Sequence, residues 1–450
     1  MGYDELDYSQ KFSLSTWKRM LPFLSRYKWA FLLMLLFNCV TALMDVALPL
    51  FQRHAVDEFI EKDTLEGLLP YALCYLGAIL AQTCSVWVMG RNSMFIEMSV
   101  GRDMRREAFT HLQTLSFSYY NVTPVGYILS RVMSDTMKIA GLIGWALPDV
   151  IWALVYLTGV FISMLLLNWR LALVVMVIVP LIALVTAYFQ GKILAWNRRV
   201  RKLNSRIMGA FNEGIMGAKT SKTLVIEDDN SESFRRLTGE MYESGVKATR
   251  LRAVYVPLVL FLSTMAVAVI LVRGGSLSLA GLIELGTLSA FTTYAVGIFE
   301  PVQLVAEYIA EFISIQASIE RVTGLLDTEP LVKDSPEVVE KYGDSLHPRR
   351  ENWEPIRGDI EFRDVTFRYP DGGEDVLSHF NLKIPAGTTV AIVGETGAGK
   401  STLVNLACRF FEPTSGQILI DGRDYRERSQ LWLHSSIGYV LQSPHLFSGS

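Results

Sequence analysis

The stretch Gly394-Glu395-Thr396-Gly397-Ala398-Gly399-Lys400-Ser401 has the residue types and spacing to hold a nucleotide phosphate. It fits G-x-x-x-x-G-K-[ST], in which the amides of a glycine-rich loop cradle phosphate oxygens. The glycines let the main chain approach an anion closely. Lys400 supplies a charge for the β- and γ-phosphates, and the Ser401 hydroxyl suits Mg²⁺, with Thr402 next in the chain. Such a loop works when a strand enters it and a helix leaves it, so that free N–H groups and the positive end of the helix dipole face the anion. The apolar run Val390-Ala391-Ile392-Val393, within Thr388–Val393, predicts the strand, and Ser401–Phe411 predicts the helix. A glycine-rich corner without a ligand is the competing reading, and the flanking strand and helix signals argue against it.

Other elements surround the loop. Residues 327–357 are polar and carry Pro330, Pro336, Pro348 and Pro355, the composition of a linker. Ile360-Glu361-Phe362 and Val365–Tyr369 read as strand, ending at the turn Pro370-Asp371-Gly372. Asn381–Ile384, Gly416–Ile420 and Ile437–Leu441 are further strands, and Gln430–Ser435 is helical.

The rest of the chain sets the context. Of 450 residues, 50% are hydrophobic, too many for an ordinary soluble enzyme and consistent with membrane spans beside a soluble domain. A net charge of −3 excludes the basic balance of a nucleic-acid binder. Cys39, Cys74, Cys84 and Cys408 have no metal spacing and read as small reduced hydrophobes. Six apolar runs are long enough to cross a ~30 Å hydrocarbon core: Trp29–Leu50, Leu68–Met89, Ile139–Leu167, Leu171–Tyr188, Val254–Val272 and Leu282–Val302. The first is a signal-anchor span, with no small-residue cleavage site before it. Asn168-Trp169-Arg170 leaves a tight turn between the third and fourth. One set of connections holds most of the Lys and Arg, from Arg91 to Lys138 and from Lys192 to Arg252, whereas the other holds only Arg53, Lys62, Arg170 and Arg273. The basic set is therefore expected to be cytoplasmic, with both termini and the phosphate loop. The sequon Asn121-Val122-Thr123 then falls on the unglycosylated side.

Both long connections keep helical composition and then break briefly, at Ser116–Val125 and Gly217–Asp229, where short transverse helices are expected to meet a cytoplasmic domain. Ser13–Lys28 suits an amphipathic helix on the inner membrane face. Asp45, Asp149 and Glu300 lie in or near spans, where acids face either a cavity or a helix partner. Trp145, Trp152, Tyr156, Phe291 and Tyr294 line such a cavity or pack against neighbours.

Taken together, the ordered motifs resemble the ATP-binding cassette (ABC) transporters of exporter type. Phe367-Arg368-Tyr369 resembles their aromatic loop, Gly394–Thr402 their Walker A loop, and Gly416–Gly422 the strand after its helix. Ile437–Gln442 resembles their Q-loop, Pro124–Arg131 their first coupling region, and Gln316–Arg321 the end of their sixth helix. The resemblance implies a six-helix membrane bundle with long cytoplasmic extensions followed by a P-loop α/β cassette. Its expected parts are an elbow over 1–28, a membrane domain over 29–326, a linker over 327–357 and the first part of a cassette over 358–450.

It further implies an integral, multi-pass protein of a bacterial plasma membrane. Two half-transporters, identical or not, would pair to drive small amphiphilic molecules across the bilayer with ATP and Mg²⁺. Gly394, Glu395, Thr396, Gly397, Ala398, Gly399 and Lys400 would hold phosphates, with Thr402 beside them. Ser401 and Gln442 would hold Mg²⁺, and Tyr369 would stack on adenine. A signature motif, a Walker B carboxylate and a switch histidine do not occur among the 450 residues. A longer functional chain is therefore expected, and no catalytic base is named. Lipid flipping and peptide export stay open on this scaffold, as do an ATP-gated channel and a regulatory subunit.

Overall fold

The structure, a computed structural model, describes residues 13–369, 372–395 and 397–440. Contacts divide the described chain into two units, one of residues 13–103 and Thr136–Glu320, the other of Met104–Asp135 and 321–440.

The first unit is helical. The amphipathic segment is two short helices, α1 (Leu14–Lys18) and α2 (Leu21–Ser25), because Pro22 fits only the opening turn of a helix. Helix α3 (Lys28–Ala55) is followed by α4 (Leu68–Thr114), whose 47 residues extend roughly 70 Å, well beyond an apolar layer. Short helices α5 (Phe117–Val122) and α6 (Val125–Leu129), which belong to the second unit, and α7 (Thr136–Gly141) precede α8 (Leu147–Met216) in the chain. Within α8 Asn168 leaves helical geometry at φ −160°. Its Oδ1 accepts the N–H groups of Arg170 and Leu171, both at 3.1 Å, and so caps the second half. This is the tight turn expected between the third and fourth spans. Helix α9 (Ala218–Leu224) lies at the second break, before α10 (Glu227–Leu279).

Among the described residues, five helical stretches are long and apolar enough to cross a membrane: Lys28–Ile60, Leu68–Leu112, Val125–Leu173, Val175–Met216 and Glu227–Leu279. The expected sixth span is divided into α11 (Leu285–Gly297) and α12 (Phe299–Leu326), with a turn at Ile298. Pro301 accounts for the division, since it lacks an N–H and its ring crowds the carbonyl four residues back, at Gly297. The core of this unit gathers Val46, Tyr156, Val160, Val259, Phe291 and Tyr294. The Tyr294 hydroxyl donates to the Val46 carbonyl at 2.6 Å. Gly286 permits a close approach, because a Cβ there would lie 2.3 Å from the Arg53 carbonyl oxygen.

In the second unit Ser335 caps α13 (Pro336–Tyr342) within the proline-bearing stretch. Strand β1 (Ile360–Phe367) pairs antiparallel with β2 (Leu377–Ile384) and β3 (Ser415–Ile420), giving the order β2-β1-β3-β4 with β4 at Arg423–Asp424. One strand thus replaces the two expected, with irregular register around Asp364. Helix α14 (Lys400–Ala407) packs Leu403 and Leu406 into a core with Phe362, Phe367, Phe411 and Ile418. It ends before the expected Phe411 because Arg409 turns left-handed, at φ 56°. Ser429 caps α15 (Gln430–Ser435).

Two expected strands do not appear among the described residues. Thr388–Val393 and 437–440 have no ladder partner among the described residues, and Leu441 lies outside them. An unbroken apolar run signals a strand buried on both faces, which needs neighbours on both sides. Here Val393 is 87% exposed and Val440 94%.

Candidate functional site

The P-loop is positioned by its own glycines. Gly397 and Gly399 have φ of 92° and 81°, and Gly399 is the residue immediately before α14. A Cβ at Gly399 would lie 3.3 Å from Val376 Cγ1, so space and conformation both favour glycine there. Among the described residues the amides of Ser401 and Thr402 have no backbone acceptor, as expected for the first turn of a helix. These donors and the exposed loop at Gly394, Glu395, Gly397 and Ala398 fit a phosphate group. Lys400 Nζ donates to the carbonyls of Gly394 at 2.9 Å and Glu395 at 2.6 Å, folding its charge over the loop. Ser401 is exposed, Thr402 is buried, and Thr396 and Gln442 lie outside the described residues.

Tyr369 reaches the same helix. Its hydroxyl and that of Thr402 share a hydrogen bond of 2.9 Å. Its ring meets Phe367 and Phe411 edge to face, at centroid distances of 4.9 and 5.2 Å. The ring also lines a cavity of about 750 Å³, whose wall includes Tyr119 and Val122 of α5 together with Leu331 and Phe411. The expected residues at 369 and 394–402 that are described therefore come together around the start of α14.

Two connections within this unit carry no sequence motif. Phe117, the first residue of α5, stacks on Phe410 with centroids 4.9 Å apart and planes at 19°. Ser116 Oγ accepts the Leu331 N–H at 3.1 Å. A second junction is built on Arg409, only 2% exposed. Its guanidinium donates to Asp334 at 2.8 Å, Glu412 at 2.9 Å and the Arg428 carbonyl at 2.8 Å. Asp334 also accepts the Gln430 N–H. The only sequence hint for Phe117 is its place at a break between helices.

Electrostatics around the sheet favour fixed charges. Burial opposes ionisation of Asp421, but three bonds from the backbone N–H groups of Arg357, Asp359 and Gly358 outweigh it and hold the carboxyl below its usual range. Desolvation lowers the pKa of His434, whose Nε2 lies 2.8 Å from the Cys408 carbonyl.

Asp45 and Asp149 have helix partners. Asp45 accepts from Gln82 at 2.6 Å and Trp152 at 2.9 Å, and Asp149 accepts from Tyr308 at 2.7 Å. Glu300 is exposed. Phe291 and Tyr294 are buried in the helical core rather than facing a cavity, Trp152 stacks on Tyr156, and Trp145 donates to Glu97.

The sequence profile of the ABC transporter transmembrane region matches residues 31–302, and that of the ABC transporter domain matches 377–450. The chain is 31% identical over 440 residues to the ATP-dependent lipid A-core flippase of Desulfotalea psychrophila, covering 96% of this chain and 73% of the relative. It is 28% identical over 440 residues to the putative multidrug export ATP-binding/permease protein YgaD of Bacillus subtilis, with the same coverage. It is 29% identical over 437 residues to the uncharacterized ABC transporter ATP-binding protein YfiC of Bacillus subtilis, covering 97% of this chain and 70% of the relative. A helical membrane region, a P-loop helix packed on a small sheet and two family profiles in the same order place the chain in the ABC transporter family, among exporters that fuse the membrane region to the ATP-binding domain.

Proposed function

We propose that the chain is one half of a dimeric exporter that uses ATP to move small amphiphilic molecules, drug-like or lipid-like, across a membrane. The observation that carries this reading is the meeting, in one unit, of the P-loop helix α14 with the Phe117–Phe410 stack at α5. The resemblance of sequence to a lipid A-core flippase and to a putative multidrug exporter supports the amphiphile class.

The chemistry follows from the loop. Gly394, Glu395, Thr396, Gly397, Ala398 and Gly399 present backbone to the triphosphate, and Ser401 and Thr402 add the free amides of the first helical turn. Lys400 exchanges its two carbonyl contacts for the β- and γ-phosphates and offsets the charge that develops as the terminal phosphoryl group leaves. Mg²⁺ supplies further charge neutralisation when bound, and the Ser401 hydroxyl and Gln442 are the residues to hold it. Tyr369, tied to Thr402, stands where its ring can meet the base. Movement of α14 and Phe410 reaches α5 through Phe117, which links nucleotide state to the helices that α5 joins. On this reading the Lys- and Arg-rich connections and the P-loop share the cytoplasmic side.

The test is ATP binding by the full chain in nanodiscs, wild type against Lys400→Ala. The variant should insert normally and bind ATP at least tenfold more weakly, as expected for loss of a charged phosphate contact worth ~1.5–3 kcal/mol. Equal binding would exclude the loop as the nucleotide site.

A further inference from the structure

Where α8 and α10 leave their apolar stretches, they form a basic cleft that the ATP chemistry does not use. Its cavity of about 410 Å³ is lined by Lys192, Ala195, Trp196, Lys247, Arg250 and Leu251. Lys192 follows the apolar stretch ending at Tyr188 by about one helical turn, and Arg250 precedes the one starting at Val254 by about one turn. Lys192 and Arg250 therefore sit at the depth of lipid headgroups, with Lys247 about one turn beyond Arg250. Aromatic side chains hold two of them. Lys192 Nζ donates to the Tyr188 hydroxyl at 2.5 Å and lies 4.3 Å from that ring's centroid, and Lys247 Nζ lies 4.9 Å from the Trp196 centroid. Arg199 stands over the same indole at 5.7 Å.

The charge balance is one-sided. The lining contains no carboxylate, and Lys192, Lys247 and Arg250 have no ion-pair partner among the described residues. Like charges converging from two packed helices repel one another, and a shared anion relieves that repulsion. Ala195, Leu251 and the Trp196 face supply an apolar wall that continues into the membrane-spanning stretch. A free phosphate would use the cations alone, whereas a phospholipid uses the cations and the wall. Indole and phenol groups at this depth are the usual companions of a headgroup layer.

We propose that this cleft seats the phosphate headgroup of an anionic phospholipid, with an acyl chain running along Leu251 toward the apolar stretch of α10. The site goes beyond the transport reading and stands whether or not the P-loop hydrolyses ATP.

The experiment uses the purified full chain in detergent micelles, with bound lipid counted by native mass spectrometry. Probes are short-chain phosphatidylglycerol, short-chain phosphatidylcholine and inorganic phosphate. Replacing Lys192, Lys247 and Arg250 together by Ala should lower phosphatidylglycerol affinity about a hundredfold, given the usual contribution of each cation near an anionic headgroup. Phosphatidylcholine binding should not change, and inorganic phosphate should not displace phosphatidylglycerol. Lys192→Gln alone, mild enough to keep the fold, should still lower the affinity severalfold. Arg206→Ala, an exposed cation of α8 outside the cleft, should leave it intact. Unchanged affinity in the cleft variants, an equal loss in Arg206→Ala, or displacement by inorganic phosphate would overturn the proposal.

Discussion

Two charges at the residue scale, Arg409 buried and Asp421 partly exposed, show how the cassette is held and how it can be tested. Arg409 donates to Asp334, Glu412 and the Arg428 carbonyl from a nearly inaccessible position. Arg409→Met keeps the volume but strands two carboxylates, so it should cost about 3 kcal/mol, read as a lowered denaturation midpoint. Asp421 is held below the usual carboxylate range by three backbone N–H donors working against burial. Its contribution is present above the unfolded value, about 3.9, and fades as pH falls through the folded value. Asp421→Asn should therefore cost about 1–2 kcal/mol at pH 7, and the gap from wild type should close below about pH 4. A gap independent of pH would assign the effect to geometry instead of charge. Neither role was legible in the sequence. An arginine and an aspartate read as surface charges until the fold brings residues 334 and 357–359 to them. The turn at Gly394–Lys400 was legible because a positive φ at Gly397 and Gly399 is a local demand that glycine spacing announces.

The same contrast holds among elements. Long helices, the Asn168 break and the short helices at both connections followed from hydropathy and composition, which are local signals. Among the described residues, Thr388–Val393 and residues 437–440 of the strand expected at Ile437–Leu441 have no ladder partner, because pairing depends on neighbours elsewhere in the chain. The sixth apolar run was divided by Pro301, a residue visible in the sequence whose consequence at Gly297 and Ile298 is a matter of backbone sterics. Phe117 and Phe410 are far apart in sequence, and only the fold stacks them. If α5 senses the nucleotide through this stack, Phe117→Ala should leave ATP binding unchanged and slow ATP-driven transport roughly threefold to tenfold, the equivalent of an aromatic pair worth about 0.5–1.5 kcal/mol. Transport and binding that fall together would place Phe117 in folding instead of coupling.

At the scale of the whole molecule, the family assignment joins an apolar helical unit to a cassette that carries its own phosphate loop. Each half alone has a bland reading, since apolar helices also make receptors and P-loops also serve soluble enzymes. Together they make energy coupling across a membrane the economical account. The relatives differ in what their names say they move, and their identities of 28–31% leave the substrate of this chain to experiment. The most direct test is ATP-dependent accumulation of a fluorescent amphiphile in proteoliposomes with the cassette facing outward, for wild type and Lys400→Ala. The account predicts uphill accumulation by wild type only with ATP and Mg²⁺, and a Lys400→Ala signal at the nucleotide-free background. Equal accumulation by the variant, or equilibration by wild type at the same rate without ATP, would contradict it.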